Sequence, residues 1–237
     1  MLTHTMLDAR TKRIYLVRHA QAVHNVVSDW DIADANLTRI GRQQATRLHP
    51  ATRDTFQQTA ELLVSSPLRR TMETTLLAFP DLKSRLEAER KQGVVLLDLA
   101  QEVSDLPCDT PTFPLSELEE SNEAQFRNAG LDFSTLSPDY ASKQGIFDPD
   151  RAAERARVLR QWLRDRPERE IVLVAHGDIL RYMVDGYHSS RKWNNTEVRE
   201  FGFASQDDGD ALLVERDYSW PPSPASSVMS SSPTPSM

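Results

Sequence analysis

The chain has 237 residues, with 28 basic and 35 acidic side chains and a formal net charge of −7. Hydrophobic residues make up 39% and only 8 residues are glycine, which excludes collagen and wholesale disorder and leaves enough apolar surface for a core. The acidic balance argues against a nucleic-acid coat or an anionic membrane as the main partner, although one basic pocket could still hold a small anion.

A single cysteine, Cys108, excludes an internal disulfide and a multi-cysteine zinc site. A membrane span needs about 20 consecutive apolar residues, whereas the apolar runs here reach about five. The first residues, MLTHTMLDARTKR, lack the apolar stretch of a secretory signal. The expected location is therefore the cytoplasm.

The first predicted strand is 14–17 (IYLV). A helix follows over 38–49, with Ile40, Ala45 and Leu48 at helical spacing. Residues 61–64 (ELLV) form the next strand, and 68–79 the next helix, with Leu68, Met72, Leu76 and Phe79 on one stripe. Residues 94–97 (VVLL) are a third strand, 152–163 a helix carrying Ala156, Leu159 and Leu163, and 171–174 (IVLV) a fourth strand. Apolar runs without alternation suit strands buried on both faces, as in a parallel sheet. Strands alternating with helices predict an α/β fold, a doubly wound three-layer sandwich around a mostly parallel sheet. Residues 198–203 and 211–214 are expected as late strands at a sheet edge.

Residues 107–145, rich in Pro, Ser and acidic side chains, are expected to be an insertion with one or two short helices over the site. Residues 1–218 are expected to form a single domain. Residues 219–237 are Ser/Pro-rich and are expected to form a mobile tail.

Three strand ends carry chemistry. Arg18 and His19 directly follow the first strand, where ligands bind in open α/β sheets. Ser66-Pro67-Leu68-Arg69-Arg70 follows the second. There Ser66 is the expected N-cap and Pro67 the first helical residue, so a helix N-terminus and two arginines meet. At most one of the two arginines needs to point inward. Ala175-His176-Gly177-Asp178 ends the late strand, with Gly177 permitting a tight turn. Two histidines and two arginines converging on one sheet edge point to a phosphate pocket. A carboxyl at such an edge can act as general acid. Glu102 is placed for this and competes with Asp98, Asp105 and Asp109.

Together these motifs resemble the histidine phosphatase superfamily, also called phosphoglycerate mutase-like, from about residue 14 to about residue 214. The family's L-V-R-H-G, with Asn soon after, matches Leu16-Val17-Arg18-His19-Ala20 and Asn25. Its D-x-x-L-T-x-x-G-x-x-Q-A matches Asp34, Leu37-Thr38, Gly41 and Gln44-Ala45. Its S-P-L-x-R-A-x-x-T matches residues 66–71 and Thr74, which selects Arg70 over Arg69 as the pocket arginine. The late H-G with a following arginine matches His176-Gly177 and Arg181, and the N-rich stretch before an edge strand matches residues 194–197.

The resemblance implies a metal-independent phosphomonoesterase without cofactor, acting on a small phosphorylated metabolite. His19 would attack phosphorus. Arg18, Arg70 and His176 would hold the phosphoryl oxygens, with Asn25 and Gly177 completing the substrate-binding set. Glu102 would protonate the leaving oxygen. Ala20 for Gly and Thr71 for Ala are small departures. The W-R-x-N-E-R-H-Y-G segment of the mutase branch has no counterpart, which points toward the phosphatases. QEVSDLPCDT resembles small phosphatase-like proteins of fungi. The alternatives are a phosphoglycerate-type mutase, or a repurposed member doing acid/base chemistry on a non-phosphorylated metabolite. Substrate specificity is expected in residues 107–145, together with His24 and Asn25.

Overall fold

The four apolar runs line up side by side in one sheet. The computed structural model describes residues 8–112, 125–185 and 191–221. Its strands are β1 (Arg13–Arg18), β2 (Leu62–Ser65), β3 (Val94–Leu96), β4 (Leu131–Asp132), β5 (Glu170–Ala175), β6 (Val198–Phe203) and β7 (Leu213–Trp220). The sheet order is β4-β3-β2-β5-β1-β6-β7. From β4 to β1 all neighbours are parallel, while β6 runs antiparallel to β1 and β7 antiparallel to β6. This is the expected α/β sandwich with a mostly parallel sheet.

The helices are α1 (Val23–Val27), α2 (Arg39–Thr52), α3 (Arg69–Ala78), α4 (Pro80–Arg90), α5 (Ala152–Asp165) and α6 (Gly177–Asp185). Strand residues alternate between faces, and here both faces are dry. Ile14, Leu16, Leu62, Val64, Ile171 and Leu173 meet Ala156, Leu159 and Leu163 of α5 and Ile179, Leu180 and Met183 of α6. Tyr15, Val17, Leu63, Val172 and Val174 meet Leu48 of α2, Met72 of α3 and Leu82 and Leu86 of α4. Each such side chain contributes about 1.5–3 kcal/mol by burial. Truncating a central one, for example Leu173→Ala, costs about 2–5 kcal/mol.

Several local expectations are corrected. The third helix starts at Arg69 with Leu68 as its extended cap residue, so Ser66 and Pro67 precede it and Ser66 caps nothing. Ile40 is 57% exposed, because Gly41, Ala45, Leu48 and Thr52 form the buried stripe of α2. Helix α4 was not expected, although Pro80 at its first turn and Leu82 and Leu86 at i, i+4 signal it. Within the insertion, residues 113–124 lie outside the description. The rest holds 3-10 turns and the short strand β4. β7 runs on through Ser219 and Trp220, which composition had assigned to the tail. The remaining tail residues, 222–237, also lie outside the described part. No described helix is long and apolar enough to cross a membrane.

Candidate active site at the strand ends

In register, Arg18 sits beside Ala175, and Ser65 beside Val174. The ends of β1, β2 and β5 therefore open onto one edge. His19 leaves β1 with its N–H donating to Ala175 O at 3.0 Å. Its carbonyl accepts Asn195 Nδ2 at 3.0 Å, and Arg18 O accepts Thr196 N at 3.1 Å. Ala20 N donates to Thr74 Oγ1 at 3.0 Å, and Gln21 N donates to Gln44 Oε1 at 2.9 Å. Thr38 caps α2 by accepting Gly41 N at 2.9 Å. A Cβ at Gly41 would fall 2.0 Å from Gln21 O, so only glycine lets α2 press against this loop. Thus the L-T-x-x-G-x-x-Q motif and Thr74 brace the loop after His19.

His19 is 2% exposed. Its Nδ1 faces Ala20 O at 2.7 Å. A carbonyl only accepts, so Nδ1 carries the proton and Nε2 keeps its lone pair. Arg70 Nε lies 3.3 Å from that Nε2. Burial, then the charges of Arg70 and Arg18, hold the ring's pKa well below that of an ordinary histidine, so it is neutral. His176, fully buried, packs its ring 5.2 Å from that of His19. Its Nε2 meets Ser66 Oγ at 2.8 Å, and its Nδ1 is buried without a hydrogen-bond partner. Burial and Arg70 depress its pKa as well. Ser66 therefore serves a histidine rather than a helix end.

The two arginines of α3 diverge, yet neither is solvated. Arg70, 1% exposed, donates from Nη1 to Cys108 O at 2.6 Å and from Nη2 to Asp109 Oδ1 at 2.7 Å. Asp109 Oδ2 accepts Ser104 Oγ at 2.6 Å. The Asp109 carboxylate thus pairs with the Nη2 end of Arg70, as any other anion would. Arg69 turns instead to Asp34, whose carboxylate accepts Arg69 N at 2.9 Å and Nη1 at 3.1 Å. Burial pushes Asp34 up to about 6 against the pull of Arg69. Arg18 donates from Nη1 to Trp193 O at 2.5 Å.

Glu102 stands at the start of α6. Its carboxylate accepts Val103 N at 2.9 Å, Ile179 N at 3.0 Å and Asp178 N at 3.2 Å. Burial, then the carboxylates of Asp109 and Asp178, raise its pKa, while Arg70 and these backbone donors oppose. Of its rivals, Asp105 is exposed, Asp98 accepts Ser137 N at 2.9 Å away from the histidines, and Asp109 is held on Arg70. Asn25 Oδ1 caps α1 through Ala22 N at 3.1 Å, and its Nδ2 donates to His24 Nε2 at 2.8 Å. Its side chain therefore reaches the pocket through His24, whose ring lies 6.4 Å from that of His19. Gly177, the first residue of α6, packs against the Arg18 guanidinium.

Two cations escaped the sequence reading. Lys143 Nζ and Arg155 Nη2 both donate to Glu102 O, at 2.9 and 3.1 Å. Burial lowers Lys143 to about 7 and Arg155 to about 10. Arg155 was legible in principle, since it shares the apolar stripe of α5 with Ala152, Ala156 and Leu159. Lys143 has no such signal. His24, Cys108 and Asp109 bring one potential metal-ligand atom each within 4.8 Å of one another. The Arg70 guanidinium on Asp109, however, opposes a second cation there.

The carboxyl end of the parallel sheet thus gathers Arg18 and Arg70 with the two buried neutral histidines, an arrangement chemically suited to an oxyanion. The model of the histidine phosphatase superfamily (branch 1) matches residues 14–93. The chain is 27% identical to a phosphoglycerate mutase-like protein of Arabidopsis thaliana, covering 72% of this chain and 70% of that one. It is 28% identical to a probable phosphatase of Schizosaccharomyces pombe, covering 72% of this chain and 76% of that one. It shares a fold with a mutant phosphoserine phosphatase from Entamoeba histolytica solved with phosphoserine. The TM-score is 0.52 at 19% identity, over 86% of this chain and 94% of that one. Residues 14–93 are thus similar to the histidine phosphatase superfamily, and the fold extends that similarity over most of the chain.

Proposed function

We propose that the protein is a phosphomonoesterase that needs no metal and works through a phosphohistidine on His19. The observation that carries this reading is the arrangement of the His19 ring. Nδ1–H is held by Ala20 O, and the unprotonated Nε2 accepts a hydrogen bond from Arg70 Nε at 3.3 Å. A nucleophile needs an unprotonated nitrogen, and an arriving phosphoryl group would draw the Arg70 donor onto its own oxygens and release the Nε2 lone pair.

The substrate's phosphoryl group takes the place of Asp109 on Arg70. Nε2 attacks phosphorus as the P–O bond to the leaving group breaks. Arg18, Arg70 and a His176 that donates from one nitrogen stabilise the equatorial oxygens, the charge work that Mg²⁺ does in other phosphoryl transfers. Glu102, whose hold on a proton is strengthened by burial and by its acidic neighbours, serves as the acid that protonates the departing alkoxide. Water then attacks the phosphohistidine, losing a proton to Glu102, and inorganic phosphate leaves.

The phosphatase in the names of the Schizosaccharomyces and Entamoeba proteins supports hydrolysis as the reaction class. The test is rapid acid-free quenching during turnover of a labelled phosphomonoester. A base-stable, acid-labile label on His19 is expected, with no turnover in His19→Ala. A label on another residue would overturn the assignment, and activity lost in EDTA and restored by Mg²⁺ would overturn the metal-free mechanism.

A further inference from the structure

β3 and β4 pair in parallel at Val94–Leu131 and Val95–Asp132, and past their ends the two chains stay side by side. There side chains replace the backbone ladder. Thr135 Oγ1 donates to Leu96 O, and Ser137 donates from N and Oγ to Asp98 Oδ2 at 2.9 and 2.8 Å. Gln101 Nε2 donates to Tyr140 O at 2.6 Å. The last rung is Lys143 Nζ, which donates to Glu102 O at 2.9 Å. Residues 135–143 of the insertion are thus laced onto the segment that delivers Glu102.

Lys143 is an unusual end to this seam. A lysine ordinarily extends its ammonium to water, yet this one is 8% exposed. Its backbone has φ 53°, a left-handed conformation that a lysine keeps only where its surroundings fix it. Burial, then the charge of Arg155, weakens its hold on its proton. Arg155, on α5, is fully buried and donates from Nη2 to the same oxygen at 3.1 Å, while its Nε and Nη1 are buried without a partner. Two cations are therefore withdrawn from water and directed at one carbonyl. Packing alone does not call for this, since apolar side chains of similar length would fill the space without the desolvation penalty.

The peptide that carries the carbonyl gives the arrangement a purpose. Glu102 O and the Val103 N–H belong to one planar unit. Val103 N donates back to Glu102 Oε1 at 2.9 Å. Fixing the oxygen fixes the plane, and with it the direction of the N–H that holds the carboxylate. Cations on the oxygen also polarise the peptide and strengthen its N–H as a donor.

We propose that Lys143 and Arg155 are positioning residues for the acid, setting the peptide plane between residues 102 and 103 and through it the place of the Glu102 carboxylate. The inference rests on the phosphomonoesterase reading, in which Glu102 protonates the leaving group, and deepens it. It gives residues 135–143 a part in the catalytic step, where sequence analysis expected the insertion to serve specificity.

The test is Lys143→Met, which keeps the length of the side chain and leaves Arg155 on the carbonyl, so that no buried oxygen is orphaned. With glycerol 3-phosphate, kcat should fall about tenfold, a fraction of the roughly 10²–10⁴ that a general acid supplies, while KM holds. p-Nitrophenyl phosphate, whose leaving group needs no proton, should lose far less. In a Glu102→Gln background the same substitution should change glycerol 3-phosphate turnover by less than about twofold, because its effect runs through Glu102. In parallel, hydrogen exchange at the Val103 amide should quicken about tenfold, as expected when a charge-assisted hydrogen bond is loosened. Equal losses on both substrates, full additivity with Glu102→Gln, or an unchanged kcat overturns the positioning role and leaves the hydrolase reading standing. If the wild type hydrolyses neither substrate, the hydrolase reading falls and the exchange rate decides alone. Faster exchange then keeps Lys143 as the residue that places Glu102, and unchanged exchange overturns both.

Discussion

A hollow of about 740 Å³ runs along β6 and β7, far larger than a cavity of about 120 Å³ beside Arg18, and it carries no convergent chemistry. Its charges are solvated or already satisfied. The Arg10 side chain is 64% exposed and pairs with Asp8, Glu200 pairs with Arg13 at 2.9 Å, and Arg216 donates to Arg10 O at 2.9 Å. At the strand ends the balance is reversed. His19, Arg70 and His176 are all nearly sealed from water, and their charges act on one another at low effective dielectric. The difference teaches that reactivity follows where charge is withheld from water, not where more space is open. Substitutions in the two regions should therefore differ in kind.

The largest effect is expected at Arg70. Arg70→Ala removes the guanidinium beside His19 Nε2 and should lower kcat/KM by about 10²–10³. Its chain neighbour should behave otherwise. Arg69→Ala leaves Asp34 buried without its cation, at a cost of about 3–5 kcal/mol of stability read from a urea midpoint. The loss in kcat/KM of the protein that remains folded should be much smaller. Equal kinetic losses in the two variants would erase the distinction between a pocket arginine and a bracing one.

Next comes Glu102. Glu102→Gln keeps the shape and cannot give up a proton. It should slow hydrolysis of an alkyl phosphate by about 10²-fold, while p-nitrophenyl phosphate, whose leaving group needs no proton, should lose far less. Equal damage to both substrates would demote Glu102 to a brace for the start of α6, a role its three backbone hydrogen bonds also allow.

Much of this was legible in sequence because buried parallel strands leave a local signal. IYLV, ELLV, VVLL and IVLV need no context to be read as strands, and the residues after them fall on one edge by topology. What stayed hidden depends on contacts distant in sequence. Nothing near Lys143 announces that it donates to Glu102 O, and nothing in the S-P-L-R-R segment announces that Ser66 faces His176, 110 residues on. Arg69 was set aside in favour of Arg70, and its own burial stayed hidden because a helical wheel shows direction but not the partner waiting there. Asp34 reaches it from the loop before α2. β4 escaped because a two-residue strand carries no period.

The third expectation concerns pH. Burial, then Arg70, lowers His24 to about 4 from 6.5, so the native protein resists a proton that the unfolded chain accepts. The stability owed to the neutral ring is complete above pH 6.5 and is lost as pH falls from there toward 4. Between pH 7 and 5 this amounts to about 1 kcal/mol, after a discount for solvent near the ring. Asp34, raised to about 6, acts in the opposite sense and blurs the raw profile. The measurement is therefore the difference between wild type and His24→Gln. Urea midpoints at pH 7 and pH 5 should show that the variant loses less stability on acidification. An equal loss would mean that His24 is not held neutral by its place among the pocket cations.

The smallest effect is expected in the large hollow. Arg216 is exposed on β7, lies over Gly202 so closely that a Cβ there would meet Nη2 at 2.3 Å, and makes its bond to the carbonyl of Arg10 in contact with water. Removing such a side chain forfeits a solvated hydrogen bond that water replaces, and the cost should stay within about 0.5 kcal/mol. Its charge also lies on the antiparallel edge of the sheet, with β6 and then β1 between it and the strand ends where His19 and His176 meet. At physiological ionic strength, charge interactions through solvent fade over about 8 Å, so no field from Arg216 should steer the substrate's phosphate. Arg216→Ser should accordingly leave kcat/KM and its salt dependence unchanged. A tenfold fall would place this hollow on the substrate's path and break the contrast between the two regions.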